Sequence, residues 1–406
     1  MKKRIVWSLL LLLLMTPVTA QNKKSFTLDD LMWGGSNYWN LQPKSYSAAF
    51  WGDKLVKLSV DDAALAFNEK GKDAGMKRLF TVEDVNAALD TARVGKVYNI
   101  LYASFPYADR TEVLLSTSKQ RFLYDWTTRK VVWQQPVTAG TQHSEFCAAS
   151  KSEAYVKDWN LFVRTADGKA HQVSKDGTRQ LQYGMSVHRN EFGIEKGTFF
   201  SPSGKLLAFY RMDQSMVTDF PLIDISPRVA QLAPEAYPMA GMTSHKVQVG
   251  IYNPETETTV YLQTGDPTDR YFTNIAWSPD EKTVYVIELP RTQDKAELVA
   301  YDAATGRRGA VLYTETNPKY VEPMHPIVFL PWDADKFIYQ TRRDGYNHLY
   351  LMSVSGGEPK QLTKGEFEVL QFLGFHAASK SVIIKSNEAS PIRHNLYAVN
   401  LKTLKR

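Results

Sequence analysis

The stretch His188-Arg189-Asn190-Glu191-Phe192-Gly193-Ile194-Glu195-Lys196-Gly197-Thr198-Phe199-Phe200 runs into Ser201-Pro202-Ser203-Gly204-Lys205 and then Leu206-Leu207-Ala208-Phe209-Tyr210. Two signals meet in it. A Ser-Pro-x-Gly turn feeds an apolar, β-forming run, which reads as a turn followed by a buried strand. Just before that strand stand two carboxylates, Glu191 and Glu195, and two cations, Arg189 and Lys196. Unpaired charge near a core is costly. The charges are therefore either a solvated loop with local ion pairs, or a carboxylate held out to catch a cationic group such as a peptide's N-terminal ammonium.

The turn-and-strand unit recurs. Units open near Ser47, Tyr107, Lys151, Ser201, Ser278, Asp333 and Ala378, mostly 44 to 60 residues apart. In one, Val284-Tyr285-Val286-Ile287 follows its turn; in another, the strand from Asn347 to Val354 ends in the hairpin turn Gly356-Gly357. Several short antiparallel strands repeating at this period are the signature of β-propeller blades. A single such sheet cannot cover both of its apolar faces, and packing blades side by side solves that. Aromatic residues, 12% of the chain, suit the wedges between blades. The expectation is an all-β chain of about seven four-stranded blades. Residues 81–94 look helical, and residues 211–246, rich in Pro and Met, interrupt the fourth unit. Thr27 reads as the N-cap of a short helical turn.

Three basic residues, Lys2, Lys3 and Arg4, precede an apolar run over residues 5–18 and a small-residue site at Val18-Thr19-Ala20. That is the layout of a secretory signal peptide, with cleavage expected after Ala20. The apolar run is too short to favour a spanning helix. The expected layout is a leader over 1–20, a lead segment over 21–37 and a propeller over 38–406, in a secreted or periplasmic protein. Without the leader, 46 Lys and Arg face 43 Asp and Glu, a balance that carries no polybasic nucleic-acid footprint. The single cysteine, Cys147, allows no internal disulfide and reads as a small buried hydrophobe. The eight histidines form no zinc-type spacing, so neither a metal nor a cofactor is implied. His188 and His348 read as hydrogen-bonded histidines of the core.

The run from His188 to Phe199, followed by Ser201-Pro202, resembles the N-terminal propeller of the dipeptidyl peptidase IV family. It looks closest to the bacterial prolyl tripeptidyl peptidases. The likeness continues through Leu207-Ala208-Phe209-Tyr210-Arg211-Met212-Asp213-Gln214-Ser215-Met216, Trp277-Ser278-Pro279-Asp280-Glu281 and Arg342-Arg343-Asp344-Gly345-Tyr346-Asn347-His348. It implies an eight-bladed propeller joined to an α/β-hydrolase domain, and a peptide substrate with a free N-terminus and proline near its amino end. It also implies that Glu191 anchors that N-terminus, with Glu195 as a second candidate and Arg121 holding a substrate carbonyl.

The sequence holds no Gly-x-Ser-x-Gly nucleophile elbow. Gly34-Gly35-Ser36-Asn37-Tyr38 and Gly184-Met185-Ser186-Val187-His188 lack its closing glycine. No catalytic set is identified, and the hydrolase domain is expected to be absent. The leading expectation is the substrate-gating propeller of a secreted serine exopeptidase, working with a hydrolase domain supplied separately. The alternatives are a stand-alone peptide-binding or interaction propeller, or an inactive remnant.

Overall fold

The computed structural model describes residues 25–42, 47–52, 54–65 and 77–406. The leader expected over residues 1–20 lies outside the described residues. Seven antiparallel sheets follow one another along the chain, and the fold is an all-β propeller of seven blades. Among the described residues every strand pairing is antiparallel, so no hydrolase-type sheet is present. No helix among them is long and apolar enough to cross a membrane.

The blades are not uniformly four-stranded. The first, third, fifth and sixth have four strands; the second and seventh have three; the fourth has five. Their starts also differ from the sequence reading. Blades four to six place a strand ahead of the turn that marks each unit: Thr198–Phe200 before Ser201, Arg270–Trp277 before Ser278, and Val328–Leu330 before Asp333. The Ser201 and Ser278 turns join the first strand to the second, with Ser201 N–H donating to Leu206 O and Ser278 N–H to Thr283 O, each at 2.9 Å. Lys151 and Ala378 likewise fall after a strand of their own blade, whereas Ser47 starts the first strand of blade one and Tyr107 precedes the first of blade two.

The chain divides into two compact units. One runs to Thr117 and includes Phe122–Trp133. Its core is aromatic: Phe80 stacks on Trp126 at 5.9 Å, and Trp51 meets Trp126 edge-on at 5.0 Å. The helical signal at 81–94 resolves into Val82–Ala87 and Thr91–Val94. A capping box starts the first, with Asp84 N–H donating to Thr81 Oγ1 and Thr81 N–H donating to the Asp84 carboxylate. At the chain's beginning Leu28–Leu31 forms one turn, where Thr27 N–H donates to Asp30.

The other unit comprises Ser118–Arg121 and Gln134–Arg406. Here blade four shows how a blade buries both faces. In the strand Leu207–Asp213, Leu207 and Phe209 join the core shared with blade three, while Ala208, Tyr210 and Met212 join the core shared with blade five. That alternation is the period-two pattern of a strand. The next layer sets Ile287 and Leu298 against Phe337 and Tyr339, and the last sets Ile338 and Leu349 against Val382 and Ile384. Cys147 is half-buried rather than buried. Its sulfur instead lies where a side chain at Gly204 would reach.

One blade edge is split. Leu181–Tyr183 pairs with the far end of Leu207–Asp213 and Thr198–Phe200 with its near end. Between them residues 184–197 loop out. Tyr210 closes the neck, since Gly184 N–H donates to Tyr210 O at 2.9 Å and Tyr210 N–H donates to Gly197 O at 3.0 Å. A compact loop with its ends so close is an Ω-loop. Of the expected 211–246 excursion, residues 211–213 and 246 are paired within the blade, and residues 214–245 leave it as an arm of two short hairpin ladders, Asp219–Phe220 with Glu235–Ala236 and Ile223–Asp224 with Gln231–Leu232.

The neck leaves no room for a side chain. A Cβ at Gly197 would stand 2.0 Å from Met185 O. Gly197→Ala is therefore expected to destabilise the chain by roughly 1–3 kcal/mol through forced backbone displacement, read as a lower urea midpoint with an unchanged slope. An unchanged midpoint would mean that the neck is not rigid.

Candidate functional site

The Ω-loop is built around its apolar residues. Val187, Phe192 and Ile194 are buried, while Glu191 and Glu195 between them are exposed. Phe192 packs on Tyr271 at 5.1 Å. The turn bends through a left-handed run, with positive φ at His188, Arg189 and Asn190 and again at Phe192 and Gly193. Left-handed backbone costs a non-glycine residue about 1–2 kcal/mol, so the surroundings must enforce it.

Three neighbours do so. Gly193 lies against Met324, whose carbonyl would stand 2.2 Å from a Cβ there. The loop carrying Met324 is itself fixed, because Asn274 Nδ2 donates to Pro323 O at 2.7 Å from a bulge in the strand Arg270–Trp277. Beneath the turn, Phe272 N–H donates to His188 Nε2 at 3.1 Å. The other ring nitrogen, His188 Nδ1, lies 2.8 Å from Nε2 of His245, the residue that ends the arm.

These contacts assign both tautomers. A nitrogen that accepts from an N–H is unprotonated, so the His188 proton is on Nδ1 and donates to His245. Both rings are buried. Burial first, then the neighbouring His245, holds His188 well below the usual imidazole range. Burial, then the Arg189 and Arg291 guanidiniums, lowers His245 to about 4. His348 is likewise a core residue, hydrogen-bonded to Thr363 Oγ1 and Gly365 O at 3.0 Å each.

The cations around the turn are each taken by another acid. Arg189 pairs with Glu235 at 2.6 Å, Lys196 with Glu145 at 2.6 Å, and Arg291 with Asp269 at 3.0 Å. Among the described residues neither Glu191 nor Glu195 has an ion-pair partner. Glu191 stands near the Tyr271 phenol. Burial and then the Glu191 charge raise that phenol's pKa, and Arg291 opposes them. Two cavities lie at the turn and its supports. One of about 340 Å³ is lined by Ser186, Arg189, Asn190, Glu235 and His245. Another of about 260 Å³ is lined by Glu322, Met324, His325, Thr341, Arg342 and Asn347.

Sequence similarity places this arrangement. The family described as "Dipeptidyl peptidase IV (DPP IV) N-terminal region" matches residues 104–406. The chain belongs to this family. A solved structure from Bacteroides ovatus that carries the name dipeptidyl aminopeptidase IV is 43% identical, with a TM-score of 0.84 over 94% of this chain and 55% of that one. Dipeptidyl peptidase 4 of Porphyromonas gingivalis shares the fold at 20% identity, with a TM-score of 0.71. The "Probable dipeptidyl-aminopeptidase B" of Phaeosphaeria nodorum is 26% identical over 87% of this chain and 44% of its own length. The chain thus spans about half the length of the relatives it matches.

Within this dipeptidyl peptidase IV-type propeller, Glu191 and Glu195 share the Ω-loop, and Arg121 stands elsewhere in the same unit. Arg121 pairs with the buried Glu153 at 2.7 Å and lies over the Phe146 ring. Glu153 also holds Arg164 at 3.2 Å. No hydrogen bond or ion pair among the described residues joins Arg121 to Glu191. Tyr271, Arg291 and His245 escaped sequence reading. Tyr271 lies in an ordinary strand pattern, and His245 lies 57 residues from the ring it meets. No group of three or more His, Cys, Asp or Glu among the described residues is placed to hold a metal ion.

The histidine pair gives stability a pH signature. An imidazole whose folded pKa is depressed contributes fully above its unfolded value of 6.5, and the contribution is lost as pH falls toward the folded value. For His245 that loss is about 3 kcal/mol between pH 7 and pH 4. Urea unfolding should show the parent losing more stability over this range than His245→Gln does. Equal losses would show that His245 is not held neutral.

Proposed function

We propose that this chain is the peptide-binding, substrate-gating propeller of a prolyl exopeptidase, and that Glu191 takes the N-terminal ammonium of the substrate. The observation that carries this reading is an acid kept without a partner on an enforced turn while each nearby cation is bound by another acid. An ammonium facing a carboxylate makes short, charge-assisted hydrogen bonds. The Tyr271 phenol beside Glu191 offers a neutral partner to the first peptide group. An anchor of this kind also measures length, because its distance from the nucleophile sets how many residues are released.

The names of the relatives favour release of dipeptides. Release of tripeptides, and proline near the amino end, rest on the resemblance of residues 188–199 to the prolyl tripeptidyl peptidases. Glu195 and Arg121 are secondary contacts in this reading. Arg121 would have to engage a substrate carbonyl while still paired to Glu153. The nucleophile comes from a hydrolase domain, in the same polypeptide or a separate one. The leader pattern at residues 1–20 supports a secreted or periplasmic setting.

The test compares a free and an N-acetylated Ala-Ala-Pro peptide by calorimetry on the parent and on Glu191→Gln. The parent should prefer the free amine by a few-fold, since an ion pair open to water contributes only about 0.2–1 kcal/mol. The variant should lose that preference. A variant that kept it would remove Glu191 from the role. In a peptidase assay with an Ala-Ala-Pro amide reporter, turnover should require added hydrolase domain. Turnover by the purified chain alone would overturn the division of labour.

A further inference from the structure

We infer that the His188–His245 hydrogen bond is a positioning device that ties the Glu191 turn to the root of the arm. Its consequence for peptide binding rests on the reading of Glu191 as the anchor; the coupling itself does not.

The turn cannot hold its own shape. Its internal backbone bonds are Asn190 N–H to Val187 O, Glu191 N–H to His188 O and Ile194 N–H to Glu191 O, each 3.1 Å. Against them stands the left-handed run at His188, Arg189 and Asn190, each residue of it unfavourable. His188 is where outside elements grip this run. The strand Arg270–Trp277 supplies the Phe272 N–H, Tyr271 meets the ring edge-on at 4.9 Å, and the arm supplies His245.

On the arm side the grip is also buried. Ser244 and His245 are both buried immediately before the strand Lys246–Asn253. The arm's other tether to the turn is exposed. Arg189 pairs with Glu235 and lies over Tyr237, and its side chain is 38% exposed against 47% for Glu235. A pair so open to solvent contributes little, which leaves the histidine pair as the tether that resists water.

The pair works in one protonation state. Each Nε2 faces a donor: Phe272 N–H at His188, and His188 Nδ1–H at His245. Adding a proton to either nitrogen sets donor against donor and breaks that bond. The charged groups facing His245 are the Arg189 and Arg291 guanidiniums, and their acids, Glu235 and Asp269, are already engaged. Among the described residues no carboxylate is hydrogen-bonded to either ring, so nothing compensates an added positive charge. Acid therefore loosens the turn from the arm.

The test measures hydrogen exchange of residues 184–197, corrected for intrinsic rates, in the unliganded parent, His245→Leu and His245→Gln between pH 7 and pH 4. Urea unfolding checks global folding. Glutamine can still accept from His188 Nδ1–H; leucine cannot. At pH 7 His245→Leu should exchange over residues 187–195 about tenfold faster than the parent, the effect of one lost buried hydrogen bond, while His245→Gln matches the parent. As pH falls from 6 toward 4 the parent should loosen, and His245→Gln should do so only at lower pH. Parent-like protection in His245→Leu, or parent-like acid loosening in His245→Gln, would overturn the inference. If His245→Leu fails to fold, the pH profile of His245→Gln decides. Loosening in a parent that does not discriminate free from acetylated Ala-Ala-Pro peptide would sustain the coupling and sink the anchor.

Discussion

Tyr210 joins the sheet to the site. Its backbone N–H and carbonyl bond to Gly197 and Gly184, so one residue of a core strand closes the neck of the loop that carries Glu191. Its ring meets Phe199 edge-on at 5.6 Å, inside the core shared by blades four and five. The position of the turn is thereby set by the packing of two blades rather than by the loop's own preferences. A neck closed by main-chain bonds also explains the glycines. Met185 O leaves no space at Gly197, and Gly184 sits at φ +69° with Leu161 where its Cβ would be. Backbone that must approach this closely admits no side chain.

The loop is held at three further points that belong to different stretches of chain. Met324 presses on Gly193, Phe272 holds His188 from the next blade, and His245 holds it from the arm. Phe272 is a core residue of a blade strand, whereas Met324 and His245 belong to a loop and an arm outside the strands. The bulge at Asn274 interrupts a strand in order to grip Pro323, and the arm leaves a blade before returning at His245. Local departures from regular structure thus converge on one turn. Convergence of that sort is expected where geometry must be exact to a fraction of an ångström.

Sequence reading recovered what is local and periodic. The alternation in Leu207-Ala208-Phe209-Tyr210 is a face assignment as much as a strand assignment, and the blades use both faces as the pattern demands. The helical signal over residues 81–94 and the Gly356-Gly357 turn are likewise short-range. Several blade starts were misplaced because the turn outweighs the strand ahead of it: Thr198–Phe200 has only three residues, and the pairing of Arg270–Trp277 is broken by a bulge. The acidic side of the site was legible, since Glu191 and Glu195 sit in one continuous stretch. Its supports were not. Nothing in the residues around His245 or Tyr271 announces a partner on another strand, and a tautomer chain exists only once two ring nitrogens are 2.8 Å apart. Nor does the sequence announce that Arg121 is paired to Glu153, 32 residues away.

The electrostatics of the turn follow from who is paired with whom. Two acids and three cations crowd around it, yet the three cations are bound to acids that come from elsewhere: Glu235 from the arm, Glu145 from blade three and Asp269 from the edge of blade five. A sequence rule that pairs near neighbours would have joined Arg189 or Lys196 to Glu191 and silenced it. Distant acids prevent that. Open to water, the unpaired carboxylate costs little, because its solvation is nearly complete. Covering the turn with a second surface would remove that solvation while every local cation stayed engaged. The carboxylate would then attract whatever positive group the incoming surface or ligand brought. A peptide ammonium fits that description, being compact, charged and able to donate several hydrogen bonds. With Glu191 proposed as the anchor, selectivity for a free amine should be weak on the exposed chain and strengthen when the turn is enclosed, since the strength of a charge pair rises as water is excluded from it.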